Sequence, residues 1–193
     1  MRNGLIPDGA LLEAFEEGIA LDPEERPAVI NMSCGSQILR KVQYTFSFEL
    51  IAQRVLKSGI LLVAAAGNGD FTYPVNHPAN CPSVMAVGAL DANLEPLPQS
   101  CSRENCDGEV DLCAPGFEIR SSTTALLNYY NNRTGTSSAT ALVSGIAALW
   151  AQKGYRGCDL WNVIVDKAIP VTNGSRKRTG AGMVQAPSDG KPK

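Results

Sequence analysis

The apolar run from Ile60 to Ala66, closed by Gly67-Asn68-Gly69, constrains this chain more than any other stretch. A strand that is apolar at every position has no face to offer water, so it belongs inside a sheet covered on both sides. The run is short for a helix and glycines cut it off, which favours a strand. A helical pattern over 43–58 precedes it, with Phe48, Ile51, Ala52 and Val55 on one face and Ser58-Gly59 as its end. Before that helix, Ala28 to Met32 makes another buried-strand run, ending at Ser33-Cys34-Gly35. Strand, helix and strand with short links predict parallel pairing through a right-handed crossover. Further strands are expected over Val84–Leu90 and Val110–Cys113, the second stopped by Ala114-Pro115-Gly116.

Three more helices complete the pattern. One covers 8–20, with Asp8 as N-cap and Leu11, Leu12, Phe15 and Ile19 on one face, and Asp22-Pro23 breaks it. A long Ala-, Ser- and Leu-rich helix runs from Thr136 to about Lys153, and a last surface helix covers 159–168. The alternation predicts an α/β fold in three layers around a mainly parallel central sheet. Ligands of such sheets gather at the carboxyl ends of the strands. That rule alone selects the loops Ser33-Cys34-Gly35 and Gly67-Asn68-Gly69.

With 193 residues, 44% hydrophobic and 19% charged, the chain fits one globular domain. Its net charge of −2, from 17 basic and 19 acidic residues, gives no field for nucleic acid. The dense basic run Arg176-Lys177-Arg178 reads as a solvated loop. No stretch is long and apolar enough to span a bilayer, and Met1 to Asp8 lacks the apolar core of a signal peptide, so a soluble chain with no export address of its own is expected. Six cysteines, at 34, 81, 101, 106, 113 and 158, include no Cys-x-x-Cys pair. With one histidine in the chain, a structural zinc would need mostly thiolates. Cys101, Cys106 and Cys113 are close enough for a local disulfide, and free thiols are the equal alternative.

Each chemically interesting segment has an ordinary reading when taken alone. Gly135-Thr136-Ser137 puts Ser137 at the first turn of the long helix, where unpaired N–H groups and the positive dipole end lie, and a serine there is commonly just an N-cap. Asn68-Gly69 is commonly just a turn. The small residues of Ser33-Cys34-Gly35 and Ala64-Ala65-Ala66-Gly67 would also suit tight packing at strand ends.

Taken together, the segments Val29 to Gly35, Gly59 to Asn68 and Gly135 to Gly145 resemble, in this order, the subtilisin-like serine peptidases of family S8. Tyr73-Pro74, Pro82 to Asp91, Asp111 to Gly116 and Gly180 to Val184 extend the likeness over nearly the whole chain, to the C-terminal part of that catalytic domain. The resemblance implies a subtilisin-like fold lacking its N-terminal strands, with residues 1–186 as a partial peptidase domain and 187–193 as a frayed tail. It implies that Ser137 attacks the peptide carbonyl, and that Asn68 and the Ser137 N–H hold the oxyanion. It further implies that Ser33, Cys34 and Gly35 form one wall of the primary specificity pocket and Ala64, Ala65, Ala66 and Gly67 the other, with exposed backbone pairing an extended polypeptide substrate. No cofactor is required for such chemistry. Structural calcium is common in the family, but no run of oxygen ligands assigns a metal site here. Members are often secreted. Asn132-Arg-Thr134 and Asn173-Gly-Ser175 match the glycosylation pattern.

The chain also departs from the family. Its catalytic set is aspartate, histidine and serine in that order, and neither the aspartate nor the histidine motif is present. The single histidine, His77 in Asn76-His77-Pro78, reads as a surface or cleft residue rather than the general base. After the serine the family usually has Met-Ala-Ser-Pro-His, where this chain has Ser138-Ala139-Thr140-Ala141-Leu142. The resemblance begins after the histidine motif, so a segment carrying Asp and His is the expected partner. Without a base a serine hydroxyl is a poor nucleophile, and the chain alone is expected to be inactive. The alternative is a pseudo-protease that binds peptides in the cleft without cutting them.

Overall fold

The computed structural model describes residues 8–38, 44–102, 108–124 and 129–188. Helix α1 (Asp8–Ala20) leads to strand β1 (Val29–Met32), helix α2 (Phe46–Lys57) and strand β2 (Leu61–Ala65). Strands β3 (Met85–Leu90) and β4 (Leu112–Pro115) follow, then the short strands β5 (Ile119–Ser122) and β6 (Tyr130–Arg133). Helices α3 (Thr136–Gln152), α4 (Gly157–Asp166) and α5 (Arg176–Thr179) close the order.

The central sheet runs β1-β2-β3-β4, and every pair is parallel. Val29 faces Leu61, Val63 faces Met85 and Val87 faces Leu112. Alternation along the strands divides the core into two layers, as a pleated sheet requires. Leu62, Ala64 and Ala86 pack with Phe15, Phe48 and Val55 of α1 and α2. Leu61, Val63, Met85, Val87 and Leu112 pack with Val143, Ala147, Leu160 and Ile164 of α3 and α4. The result is the expected helix–sheet–helix sandwich, and β2 and β3 are buried at every position.

Several sequence expectations shift. Helix α2 starts at Phe46, after Thr45 in an extended conformation, rather than at 43; residues 39–43 lie outside those described. Strand β4 runs through Ala114 and Pro115 instead of stopping before them. It is the edge of the sheet, where a proline's missing N–H costs no ladder bond. Helix α4 spans 157–166, because the chain turns at Lys167 to pair Ile169 with Met183 in two backbone bonds of 2.9 and 2.8 Å. The β5–β6 hairpin was not legible, since β6 is exposed at all four positions and carries no apolar alternation.

The basic run is helical rather than a loop, with Arg176 and Lys177 exposed as expected and Arg178 packed. It forms α5, and the Arg178 guanidinium donates to the Pro96 and Leu97 carbonyls and sits 5.1 Å above the Phe71 ring. Cys34, Cys101, Cys113 and Cys158 are free thiols, so Cys101 and Cys113 are not joined to each other; Cys106 lies outside the described residues. Burial pushes the Cys113 thiol up to about 12. Among the described residues no helix is long and apolar enough to cross a membrane.

Candidate active site

Strands β1 and β2 end side by side, with Met32 opposite Ala64, and the loops that follow them meet the first turn of α3. Gly135 precedes α3 at φ +147, a backbone region that disfavours side chains, and so aims Thr136 and Ser137 at the strand ends. A Cβ on Gly135 would lie 2.9 Å from Asn68 Oδ1. Ser137 is therefore not the N-cap, which is Gly135, and that end of the helix has no side-chain cap bond.

Thr136 joins the loops. Its N–H donates to Asn68 Oδ1 at 2.9 Å and its hydroxyl donates to the same oxygen at 3.1 Å. The same Thr136 Oγ1 accepts the buried Gly67 N–H at 3.2 Å. Because a backbone N–H is a fixed donor, it settles which end of the Asn68 amide is oxygen. Asn68 is exposed, and its Nδ2 has no partner among the described residues. A free amide donor thus stands at the mouth of the strand ends, anchored to Thr136, the residue before Ser137.

Ser33 and Ser137 bind each other reciprocally. Ser137 Oγ donates to the Ser33 carbonyl at 3.0 Å, and Ser33 Oγ donates to the Ser137 carbonyl at 2.9 Å. The serine proton therefore rests on a backbone carbonyl, which is not a base. Asn31 Nδ2 donates to Ser33 Oγ at 3.1 Å, and the Ser144 hydroxyl lies 3.0 Å from Asn31 Oδ1. Asn31, Thr136 and Ser144 escaped the sequence reading as site residues. The one available signal was a polar Asn31 inside an otherwise apolar strand run.

The two expected walls differ. Ser33 and Cys34 are half-buried and Gly35 is exposed, and partial burial raises the Cys34 thiol above its ordinary range. Ala64, Ala65, Ala66 and Gly67 are all buried. Ala64 and Ala66 point their methyl groups into the core beside α1 and α2. The Ala66 N–H and carbonyl, and the Gly67 N–H and carbonyl, are all engaged inside the fold, with Val87, Asn76, Thr136 and Cys101. The expectation of exposed backbone along Ala66-Gly67 is thus corrected: these groups are already paired within the fold.

His77 is also corrected. It is not a surface residue: at 7% exposure its ring packs edge-on against Phe48 at 4.7 Å, with Nδ1 3.3 Å from Asn80 Oδ1 and 3.8 Å from Cys81 Sγ. Among the described residues no group of three or more His, Cys, Asp or Glu side chains could hold a metal ion.

A serine on the first turn of a helix and an asparagine amide at the carboxyl ends of parallel strands place the candidate site where α/β proteins with parallel sheets bind their ligands. The chain belongs to the subtilase family, whose model matches residues 9–183. It is 38% identical over 138 residues to a thermostable alkaline protease of Halalkalibacterium halodurans, covering 72% of this chain and 35% of that protein. It is 34% identical over 142 residues to the minor extracellular protease Epr of Bacillus subtilis, covering 74% of this chain and 20% of the other. The solved prenylagaramide maturation protease PagA superposes with a TM-score of 0.74 at 25% identity, covering 94% of this chain and 66% of that one. The chain thus spans about a third or less of these two curated relatives and about two thirds of that structure.

Proposed function

We propose that this chain is the nucleophile-bearing part of a serine endopeptidase that hydrolyses polypeptides through an acyl-enzyme. In this reading Ser137 attacks the carbonyl carbon. The negative oxygen formed there is held by the Asn68 amide and the Ser137 N–H at the helix terminus. The observation that carries the reading is the Thr136 clamp, which fixes Asn68 by its oxygen end and leaves its N–H groups uncommitted. The Ser33-Cys34-Gly35 side receives the peptide backbone, and the buried Ala64–Gly67 side shapes the slot.

The proton needs a base, and the chain's one histidine is buried against Phe48. We assign that role to a segment carrying the family's aspartate and histidine. Two features support it. The first strand β1 is an edge of a parallel sheet, although such sheets are normally covered. Helix α3 has no charged residue in 17, yet exposes Ala141, Leu142, Gly145, Ala148 and Leu149 along one face. Without the base the cleft binds peptides and does not turn them over.

The experiment joins the chain to the in-frame sequence upstream of Met1 and treats it with a fluorophosphonate probe. The expected result is an upstream aspartate and His-Gly-Thr motif and labelling at Ser137 that Ser137→Ala abolishes. A stop codon with no such motif, or an unlabelled Ser137 in the joined protein, overturns the reading. Peptide binding without labelling would favour the pseudo-protease.

A further inference from the structure

Three asparagines in the chain are followed directly by glycine, in Asn3-Gly4, Asn68-Gly69 and Asn173-Gly174, and the first pair lies outside the described residues. An asparagine before glycine is chemically reactive, because glycine has no Cβ to hinder a close approach of its backbone. Hydroxide takes the glycine N–H proton, and the nitrogen attacks the asparagine Cγ. The N–Cγ bond forms and the Cγ–Nδ2 bond breaks. The departing nitrogen takes a proton from water and leaves as ammonia. Water then opens the cyclic imide at either carbonyl, giving aspartate or isoaspartate. Only water is consumed, and no electrons are exchanged. The reaction requires a free glycine nitrogen and an asparagine amide that can turn over it.

The fold treats the two described pairs differently. After β2, the Gly69 N–H donates to Cys101 Sγ at 3.2 Å. Asn68 Oδ1 accepts from both the N–H and the hydroxyl of Thr136. Cys101 and Thr136 are fully buried, so both anchors are packed in place. Turning the Asn68 amide breaks its links to α3, and freeing the Gly69 nitrogen breaks its bond to sulfur. Between α4 and α5 these restraints are missing. The Gly174 N–H has no hydrogen-bond partner among the described residues. Asn173 is exposed, and its amide makes one bond, from Nδ2 to Oε1 of the exposed Glu95 at 3.3 Å.

We propose that Asn173 is the site of spontaneous modification in this chain, converting to aspartate and isoaspartate, and that Cys101 and Thr136 hold Asn68 against the same reaction. The consequence at 173 is local. A carboxylate there faces the Glu95 carboxylate where a hydrogen bond stood, and the two charges repel. Isoaspartate also adds a carbon to the backbone, and Gly174 has little room to shift. A Cβ on it would lie 2.6 Å from Thr179 Cγ2 and 2.8 Å from Pro96 Cγ. The turn into α5 is thereby pushed away from Pro96, whose carbonyl accepts from Arg178. At 68 the change would reach further: an ionised carboxylate accepts and cannot donate, so it would end the role proposed above for the Asn68 amide.

The test needs no turnover. The folded 193-residue chain is kept in mildly alkaline buffer and then digested. Mass spectrometry follows the peptides that carry residues 68 and 173, beside the same chain kept in concentrated urea. In the folded chain Asn173 is expected to convert about tenfold or more faster than Asn68, because each hydrogen bond that must break slows the reaction several-fold. In urea the two are expected to convert at similar rates. Cys101→Ala, which removes the acceptor of the Gly69 N–H, should speed conversion of Asn68, and Cys101→Ser should restore the protection. Asn68 converting as fast as Asn173 in the folded chain, or a difference that persists in urea, overturns the assignment. A folded Cys101→Ala variant with Asn68 as slow as in wild type overturns the role of Cys101. If that variant does not fold, the urea comparison on wild type still decides the assignment of Asn173.

Discussion

Thr136→Val separates the hydroxyl of Thr136 from its shape. The two side chains have nearly the same volume and are both branched at Cβ, so helix propensity and packing change little. Thr136 is fully buried, so packing would otherwise dominate. What is lost is one oxygen with two bonds: a donor to Asn68 Oδ1 at 3.1 Å and an acceptor for the Gly67 N–H at 3.2 Å. Gly67 is buried, so its N–H finds no water and is left unmatched, at a cost of about 1–3 kcal/mol. The bond to Asn68 matters less, because Asn68 is exposed and the Thr136 N–H still holds the same oxygen at 2.9 Å. We therefore expect a loss of about 2–3 kcal/mol in urea unfolding. Thr136→Ser keeps both bonds and loses one buried methyl, for about 1 kcal/mol. The valine variant should also weaken binding of carboxylate-terminated tetrapeptides, because Asn68 loses one of two anchors, whereas the serine variant should not. A valine variant within about 0.5 kcal/mol of wild type, or a serine variant that costs more than valine, would refute the clamp.

Three further outcomes follow from the same geometry. Asp111 is raised from 3.8 to about 7, mainly by burial, against a bond from the Ala86 N–H and with the Glu109 charge adding to the rise. A raised acid holds its proton more tightly when folded, so its contribution is fully present below about pH 4 and is lost as pH climbs through 7. Three units correspond to about 4 kcal/mol, and Asp111→Asn should flatten that decline in unfolding curves at pH 4.5 and 7.5. Gly135→Ala adds a Cβ at φ +147 and 2.9 Å from Asn68 Oδ1, so it should cost about 1–3 kcal/mol and displace the Asn68 amide resonance in a nitrogen–proton NMR spectrum. In the protein joined to its base-bearing segment, Asn68→Ala should lower kcat by about 10²–10³ with little change in KM, the loss established for this donor in subtilisin, a member of the same family.

The sheet was legible because its strands are apolar at both faces. Ile60 to Ala66 and Val84 to Leu90 leave no alternative but a covered parallel sheet, and Gly67 after the first run marks where the cleft forms. Ser137 and Asn68 were singled out by the resemblance and not by their local pattern, since alone Gly135-Thr136-Ser137 reads as a cap and Asn68-Gly69 as a turn. What the sequence hid depends on pairing across long separations. Nothing local says that Asn31 and Ser144, 113 positions apart, share a bond, or that Ser36 pairs with His77. His77, expected at the surface or in the cleft from its loop position, is not at the surface, because Phe48, Asn80 and Cys81 supply a packed and partly polar niche for its ring. The hairpin β5–β6 has no apolar pattern and is held by its backbone ladder and by Arg120, 5.2 Å above the Tyr130 ring.

The division of labour along the chain has a physical logic. In the proposed reaction the groups that hold charge must be fixed beforehand, and the candidates Asn68 and Ser137 sit where the loop after β2 is hydrogen-bonded to the first turn of α3. The resting bond from Ser137 to the Ser33 carbonyl keeps the hydroxyl oriented but inert, because a carbonyl cannot take a proton at neutral pH. A base has to displace that bond before attack. A helix without charges that bares Ala141, Leu142, Gly145, Ala148 and Leu149 to water is out of keeping with a finished surface, since outward faces of surface helices are polar. A free-standing peptide-binding module would need that face charged and the β1 edge blunted. Neither adaptation is present among the described residues, so the composition of α3 favours the proposed reading, in which a further segment covers that face.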